Sequence, residues 1–342
     1  MKTMNVAVYY NNNDVRLEQR PIPNIAPDEL LVRVKASGIC GSDVMEWYRI
    51  KKAPRILGHE IAGDIVEVGS KVKTYKVGDR VFVSHHVPCN TCEFCLHGQQ
   101  TLCHTLHSTN FDPGGFVQYL RVPAINVDRG VFLLPDAMSY DQGVFVEPFA
   151  CAIRGLRQAG FSAGQRILVL GSGISGLLFI KLAKAWGARQ IIATDITAFR
   201  LQAATRCGAD MTINARDDVA ARVKDATAGH LADLAVVSTG AQSAVQQALA
   251  SVRPGGTVLL FAPTEPGVQV PCDLFEVWNK QLRIVSTYAG SPRDITEAVS
   301  LLASKQVEIE DLITHRLPLS EAAKGFALVA KAQDSIKVIL EP

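Results

Sequence analysis

The stretch RILVLGSGISGLLFI, residues 166–180, decides the fold of the second half of the chain. Arg166 to Leu170 is an apolar run of strand length. Gly171, Gly173 and Gly176 follow it with the spacing G-x-G-x-x-G, and the apolar pattern then resumes at helix period. The three glycines differ in what they allow. Gly171 permits a tight turn, Gly173 lets the backbone approach a pyrophosphate, and Gly176 allows a helix to pack close to its strand. Amides around Ser172 and Ile174 would hold the diphosphate, because the first N–H groups of a helix have no partner within it. A glycine triplet standing alone is often only a turn.

The sequence on either side gives the triplet its context. A second strand, Gln190 to Thr194, ends at Asp195, about 20 residues beyond the glycines, where an acidic side chain accepts ribose hydroxyls. That carboxylate would repel a 2′-phosphate, which favours NAD over NADP. Arg200 is the opposing signal, since a guanidinium can accommodate the phosphate; its other reading is a solvated helix residue. Strands at Leu234 to Ser238 and Gly256 to Ala262 alternate with helix-length Ala- and Leu-rich segments, which predicts an α/β region with a doubly wound parallel sheet, the Rossmann arrangement. Ser238, Thr239 and Gly240 end a strand at the expected ligand crevice. Phe261 and Tyr288 stand in later strand-end loops as further cofactor candidates, with core packing as the alternative. Before about Ala150 the grammar is different: Glu29 to Ala36, Glu60 to Val68 and Asp79 to Ser84 are short apolar runs separated by Gly and Pro, which predicts a mostly β region.

The chain has 342 residues, enough for about two domains, and 48% of them are hydrophobic. Lys plus Arg number 35 against 33 Asp plus Glu, so no strong field draws nucleic acid or an anionic membrane. The opening apolar run is too short for a secretory signal, and the apolar segment Ile167 to Ile180 is broken by glycine and serine. A soluble, cytoplasmic protein is therefore expected, in a compartment where clustered cysteines serve metal better than disulfides.

Four of the eight cysteines, Cys89, Cys92, Cys95 and Cys103, fall within residues 89–103 with the spacing C-x2-C-x2-C-x7-C. Four thiolates can close a tetrahedral zinc site, which leaves no position for substrate and only holds a loop in shape. An iron–sulfur cluster and free thiols are the rival readings. Against the first, the fourth cysteine lacks a following proline. His97, His104 and His107 are read as residues of a solvated loop. A sparser set, Cys40 with His59 and nearby carboxylates, suits a zinc with an open position that can bind an alcohol.

Taken together, these motifs resemble the zinc-dependent medium-chain alcohol dehydrogenase family, and most closely its polyol branch, the sorbitol-dehydrogenase-like enzymes. The resemblance runs along essentially the whole chain. It is carried by Gly38-Ile-Cys40-Gly-Ser42-Asp43, Gly58-His59-Glu60 with Gly63 and Gly69, the cysteine quartet, Gly114-Gly115-Phe116 with Tyr119, Glu147-Pro148 and the glycine motif. It implies a GroES-like β-rich catalytic domain over residues 1–147, with a structural zinc lobe at about 85–110. A Rossmann cofactor domain would follow over residues 148–287, and residues 288–342 would return to the catalytic domain. It further implies a second, catalytic zinc held by Cys40 and His59, with Glu147 as third ligand or as holder of the metal's water and Glu60 as a further possible ligand. Cys151 is a less favoured ligand, read as packing.

The activity implied is reversible oxidation of a secondary alcohol, a polyol such as sorbitol foremost, to the ketone, with Ser42 at the start of the proton path and a homodimer or homotetramer as the assembly. Two departures from the family pattern matter. Met45 stands where relatives carry a relay histidine, and methionine carries no proton. The linker from Cys40 to His59 is short and holds Trp47, Tyr48, Arg49, Lys51, Lys52 and Arg55. Its aromatics could wall a pocket. Its four cations are either solvated or a site for a phosphorylated or carboxylated substrate. Simple secondary alcohols and 3-hydroxy amino acids are the other substrate alternatives. Rivals outside this activity are a catalytically silent zinc and dinucleotide-binding protein and a zinc-free quinone reductase.

Overall fold

In the computed structural model, which describes residues 2–342, Arg166–Leu170 is a strand inside a 6-stranded sheet. The sheet order is Met211–Asn214, Gln190–Asp195, Arg166–Leu170, Ala232–Val237, Val252–Leu260, Arg283–Ser286, and every pairing is parallel. The chain winds outward in one direction from Arg166–Leu170, then restarts beside it and winds outward in the other. In sheets of this winding the ligand crevice lies at that reversal, beyond the carboxyl ends of the two central strands. Ile167, Leu168, Val169 and Leu170 are all fully buried, as a strand covered on both faces requires.

The connecting helices start and stop where side chains satisfy their ends. Thr197 caps Ala198–Cys207 by accepting from the Arg200 amide, and Gly208 at φ 111° ends it. Ser291 and Asp294 form a capping box on Pro292–Ala303, with Pro292 in the first turn.

The first part of the chain forms a 7-stranded sheet whose path runs Ile313–Pro318, Lys337–Glu341, Leu30–Ile39, Glu60–Val68, Arg80–Val83, Val131–Leu133, with Tyr119–Val122 also paired to Leu30–Ile39. A separate 3-stranded sheet joins Asp14–Pro21, Thr3–Asn11 and Arg55–Ile56. The core between them gathers Val6, Val8, Leu30, Val32, Ile61, Ile65, Val81 and Leu120. Lys337–Glu341 pairs antiparallel with Leu30–Ile39, so the end of the chain lies in the β-rich sheet.

Two compact units result, Met1–Ala150 with Gly290–Pro342, and Cys151–Ala289. The helix Tyr140–Gln158 runs unbroken through residues 147 and 148 with Pro148 inside it, so the chain makes no linker where the grammar of the sequence changes. Among the described residues no helix is long and apolar enough to cross a membrane.

Candidate active site

Cys40 follows the longest strand of the β-rich sheet and caps the short turn Gly41–Val44. Its Sγ accepts the Ser42 amide at 3.4 Å, while its own amide donates to Asp43 Oδ2 at 3.0 Å. Asp43 is fully buried, and its Oδ1 lies 3.6 Å from His59 Nδ1 and 3.5 Å from Arg49 Nη2. Burial alone would raise the Asp43 carboxyl's pKa, but His59, Arg49 and the Cys40 amide outweigh it and hold the pKa below the usual carboxylate value. The carboxylate thus faces Nδ1 and leaves Nε2 of His59 for a metal, an arrangement common behind metal-binding histidines.

Ligand atoms of Cys40, His59 and Glu60 lie within 4.8 Å of one another. Glu147, on Tyr140–Gln158, does not join that set: the structure brings Glu60 where the family resemblance put Glu147 first. Strand pairing supplies the reason. Glu60 opens Glu60–Val68 directly after His59 and sits opposite Gly38. On the other side of Gly38 runs Lys337–Glu341, and Lys337, wholly buried, donates from Nζ to Glu60 Oε2. A Cβ on Gly38 would lie 2.3 Å from Glu60 Oε2 and 2.9 Å from Lys337 Cε, so glycine there is what leaves room for the pair. With one oxygen held by Lys337, the carboxylate keeps its other oxygen for an ion.

Two further imidazoles line this region. His85 packs against His59 and His86, with ring centroids 5.0 and 3.8 Å apart. The buried Asn126 amide holds their backbone by donating to the Ser84 and His85 carbonyls. Burial first, then the neighbouring positive groups, pushes the His85 pKa well below the ordinary histidine value and that of His86 down to about 3. Nothing in the local sequence marks either histidine as part of a site, and Asp43 stands in the motif around Cys40 without a role that the sequence assigns. The sole signal for Lys337 is one lysine inside an otherwise apolar strand.

The cysteine quartet is gathered within 4.8 Å with all four thiols free of disulfides. Cys92 and Cys89 sulfurs lie 3.5 and 3.9 Å from Cys95 Sγ. Zinc–sulfur bonds of about 2.3 Å at tetrahedral angles put sulfurs about 3.8 Å apart, so the spacing fits one ion. A multi-iron cluster would spread its cysteines over several metals. Hydrogen bonds from Thr91 and the Cys92 amide lower the Cys89 pKa to about 5, while burial raises that of Cys95 to about 12. A cation in their midst would ease the second. His97, His104 and His107 are exposed, and none belongs to the quartet.

In the other unit, Gly171 turns at φ 93°, and a Cβ on Gly176 would come within 1.9 Å of the Gly171 carbonyl oxygen. The turn closes only with glycine at both places. Gly173 caps Ile174–Ala185 with its amides open to a ligand. Ser238 donates from Oγ to the carbonyls of Leu170 and Gly171 at 2.9 and 2.6 Å, tying the two central strand ends together; Thr239 lies beside Gly171, and Gly240 beside the Pro263 carbonyl. Asp195 is buried. Its Oδ2 accepts the Ser172 amide at 2.9 Å, Oδ1 accepts the Thr197 amide and hydroxyl, and Arg200 Nη1 stands 4.0 Å away. Phe261 packs edge-on against Phe179, the contact of a core residue, while Tyr288 is exposed.

A parallel dinucleotide-binding sheet in one unit and an open three-donor metal set in the other define a metal- and nucleotide-dependent oxidoreductase. Comparison with known proteins agrees. Residues 26–136 match the alcohol dehydrogenase GroES-like domain, and residues 175–304 match the zinc-binding dehydrogenase domain. The chain is 36% identical to sorbitol dehydrogenase of Gallus gallus, over 98% of this chain and 95% of that protein. Its fold superposes on a structure described as a zinc-binding dehydrogenase from Sinorhizobium meliloti 1021 bound to NADP, at TM-score 0.90 and 28% identity with all of both chains covered. It superposes equally fully on an alcohol dehydrogenase from Escherichia coli CFT073 complexed with NADH, at TM-score 0.89 and 27% identity. The chain belongs to the zinc-dependent medium-chain alcohol dehydrogenase family, in its polyol branch. It is accordingly an alcohol or polyol dehydrogenase that uses zinc and a nicotinamide dinucleotide.

Proposed function

We propose that the chain oxidises a secondary hydroxyl of a neutral polyol to the ketone, reversibly and with NAD. The observation that carries this reading is the meeting of Cys40, His59 and Glu60, with the Ser42 amide hydrogen-bonded to the Cys40 sulfur. One thiolate, one imidazole and one carboxylate are three protein donors, the number that keeps a zinc position open. Zinc there would supply Lewis acidity to the substrate oxygen, and the bound dinucleotide would accept the hydride. Asp43 orients His59, Lys337 orients Glu60, and Ser42 meets the substrate hydroxyl. Glu147, on the helix Tyr140–Gln158, is proposed for the metal's water alone. The quartet would hold the second zinc and the lobe.

Charge favours a neutral substrate. Both cations that flank the site already face a carboxylate of the chain, Arg49 with Asp43 and Lys337 with Glu60. Lys51 and Lys52 are exposed, and Arg55 lies on the short strand Arg55–Ile56, so the four linker cations do not act as one anion site. For the dinucleotide, the buried negative charge of Asp195 beside the glycine turn argues for a free ribose hydroxyl, and Arg200 is already drawn toward that carboxylate. A homo-oligomer fits the exposed Leu274, Phe275 and Trp278 next to the sheet's edge strand.

The test is kcat/KM across neutral polyols and secondary alcohols against their phosphorylated and carboxylated counterparts, each with NAD and with NADP. Preference for neutral polyols with NAD is expected. A preference for the anionic set would overturn the substrate reading, and a preference for NADP the reading of Asp195.

A further inference from the structure

Arg49 makes contacts that nothing in the proposed activity requires. Its Nε donates to the Ser42 carbonyl at 2.9 Å and its Nη2 to the Ser42 Oγ at 2.9 Å, with Asp43 Oδ1 at 3.5 Å from the same nitrogen. The side chain is largely buried, 16% exposed, and the guanidinium carbon also lies 4.6 Å from the Tyr48 ring centre. The short linker brings this about. Asn12 of the β-hairpin donates to Glu46 and to the Val44 carbonyl, which pins Glu46–Arg49 so that Arg49 turns back over Gly41–Val44.

Ser42 is the group expected to meet the substrate hydroxyl, so its hydrogen-bonding capacity can be counted. A hydroxyl oxygen has two acceptor positions and one proton to donate. Arg49 occupies one acceptor position with a permanent cation. An arginine cannot be deprotonated in a protein, so it takes no proton from Ser42, and Met45 in the same turn carries none. A serine that leads to a histidine passes protons on. One that ends on a guanidinium is instead polarised by it, because a donor on its oxygen strengthens the bond its own O–H makes.

We propose that Arg49 is a positioning residue that aims and polarises the Ser42 hydroxyl as a hydrogen-bond donor to the substrate oxygen. In the oxidative direction that donor steadies the oxygen as negative charge develops on it. The substrate's own hydroxyl proton goes to water, its hydride goes to the dinucleotide and Ser42 keeps its proton. In the reductive direction it polarises the ketone. The inference rests on the alcohol dehydrogenase reading of the site, and it sets the linker's first cation to work on the reaction and not on an anionic substrate.

A double-substitution cycle tests it, run on the zinc-loaded protein with the best neutral alcohol and zinc content measured throughout. Removing a donor aimed at a developing oxyanion costs about 100- to 1000-fold, and a residue that acts through such a donor is worth part of that. Arg49→Met is therefore expected to lower kcat about 10- to 100-fold with KM changed by no more than about 2-fold, and Arg49→Lys, which keeps the charge and a donor, to recover part of the loss. In a Ser42→Ala background Arg49→Met should cost no more than about 2-fold, since the group it acts through is gone. An equal loss in both backgrounds would overturn the proposal, as would a loss confined to KM or one that tracks zinc loss. A wild-type protein that oxidises no alcohol would sink the reading beneath it, which the cycle alone cannot do.

Discussion

Glu60 is placed by a buried cation and a missing side chain, and both can be changed. Taking one partner from a buried ion pair leaves an uncompensated charge, at a cost of about 3–5 kcal/mol. Lys337→Met should therefore destabilise the zinc-free protein by roughly that amount, measured by denaturant unfolding, and the zinc-loaded protein by less, because an ion beside Glu60 takes over the lost partner's role. Equal losses in the two states would mean that Glu60 does not face the metal. Acid tests the imidazoles. An unfolded histidine binds its proton near pH 6.5, whereas folded His86 resists it down to about 3. Across that window the unfolded chain holds the extra proton, so stability rises with pH and falls with acid, by at most about 1.4 kcal/mol per unit from this residue. His86→Asn should flatten the slope between pH 6.5 and 5, where the wild-type protein loses stability; an unchanged slope would show that His86 takes up its proton in the folded state. Cys40 and His59 were legible because their neighbours in sequence form a motif. Lys337 was not, since its partner lies 277 residues away and a lone lysine in a strand reads as an ordinary solvent-facing position.

At the scale of elements the quartet lobe is the extreme case. Its helices, Glu93–Leu96 and His104–Ser108, have four and five residues, too short to be stable alone. Leu106 is the one fully buried aliphatic side chain among the sulfurs, while Leu96 and Leu102 face solvent at 73% and 52% exposure. So little apolar burial cannot offset the entropy of ordering the loop, which gives the proposed ion the part of a core. Cys95→Ser should remove one of two zincs per chain and abolish hydrogen-exchange protection in residues 89–108, while the amides of Arg166–Leu170 keep theirs. Retention of both zincs would contradict the structural site. The cysteine spacing was readable in sequence because ligand geometry constrains it directly. The helix Tyr140–Gln158 was not, for a different reason: Pro148 and Gly143 are local signals against a helix, and burial of Val144, Phe145, Val146 and Phe149 overrides them. The four central strands of the parallel sheet were readable within a few residues, since burial on both faces leaves unbroken apolar runs, whereas the edge strands Met211–Asn214 and Arg283–Ser286, short and partly open, were not.

For the whole molecule, a net charge of +2 offers little repulsion between copies, and one surface has the features that the proposed contact between copies needs. Arg283–Ser286 ends the 6-stranded sheet, paired on one side only among the described residues, so its outer edge carries backbone donors and acceptors without a ladder. Ile284 on that strand is exposed, and the preceding helix Leu274–Asn279 exposes Leu274, Phe275 and Trp278 at 76%, 63% and 73%. The far edge, Met211–Asn214, is only half open and shows no such side chains. A second copy related by a twofold axis would bring edge to edge and apolar helix to apolar helix, and each residue would then count twice. A large apolar side chain withdrawn from water contributes roughly 1.5–3 kcal/mol, so three from each copy make a sizeable hydrophobic term against the cost of association. Trp278→Glu combined with Ile284→Lys should shift the protein to monomers in sedimentation-velocity runs at micromolar concentration, with both zincs retained. The wild-type chain should sediment as a dimer or tetramer. A wild-type monomer, or a variant that assembles unchanged, would show that these residues do not hold copies together.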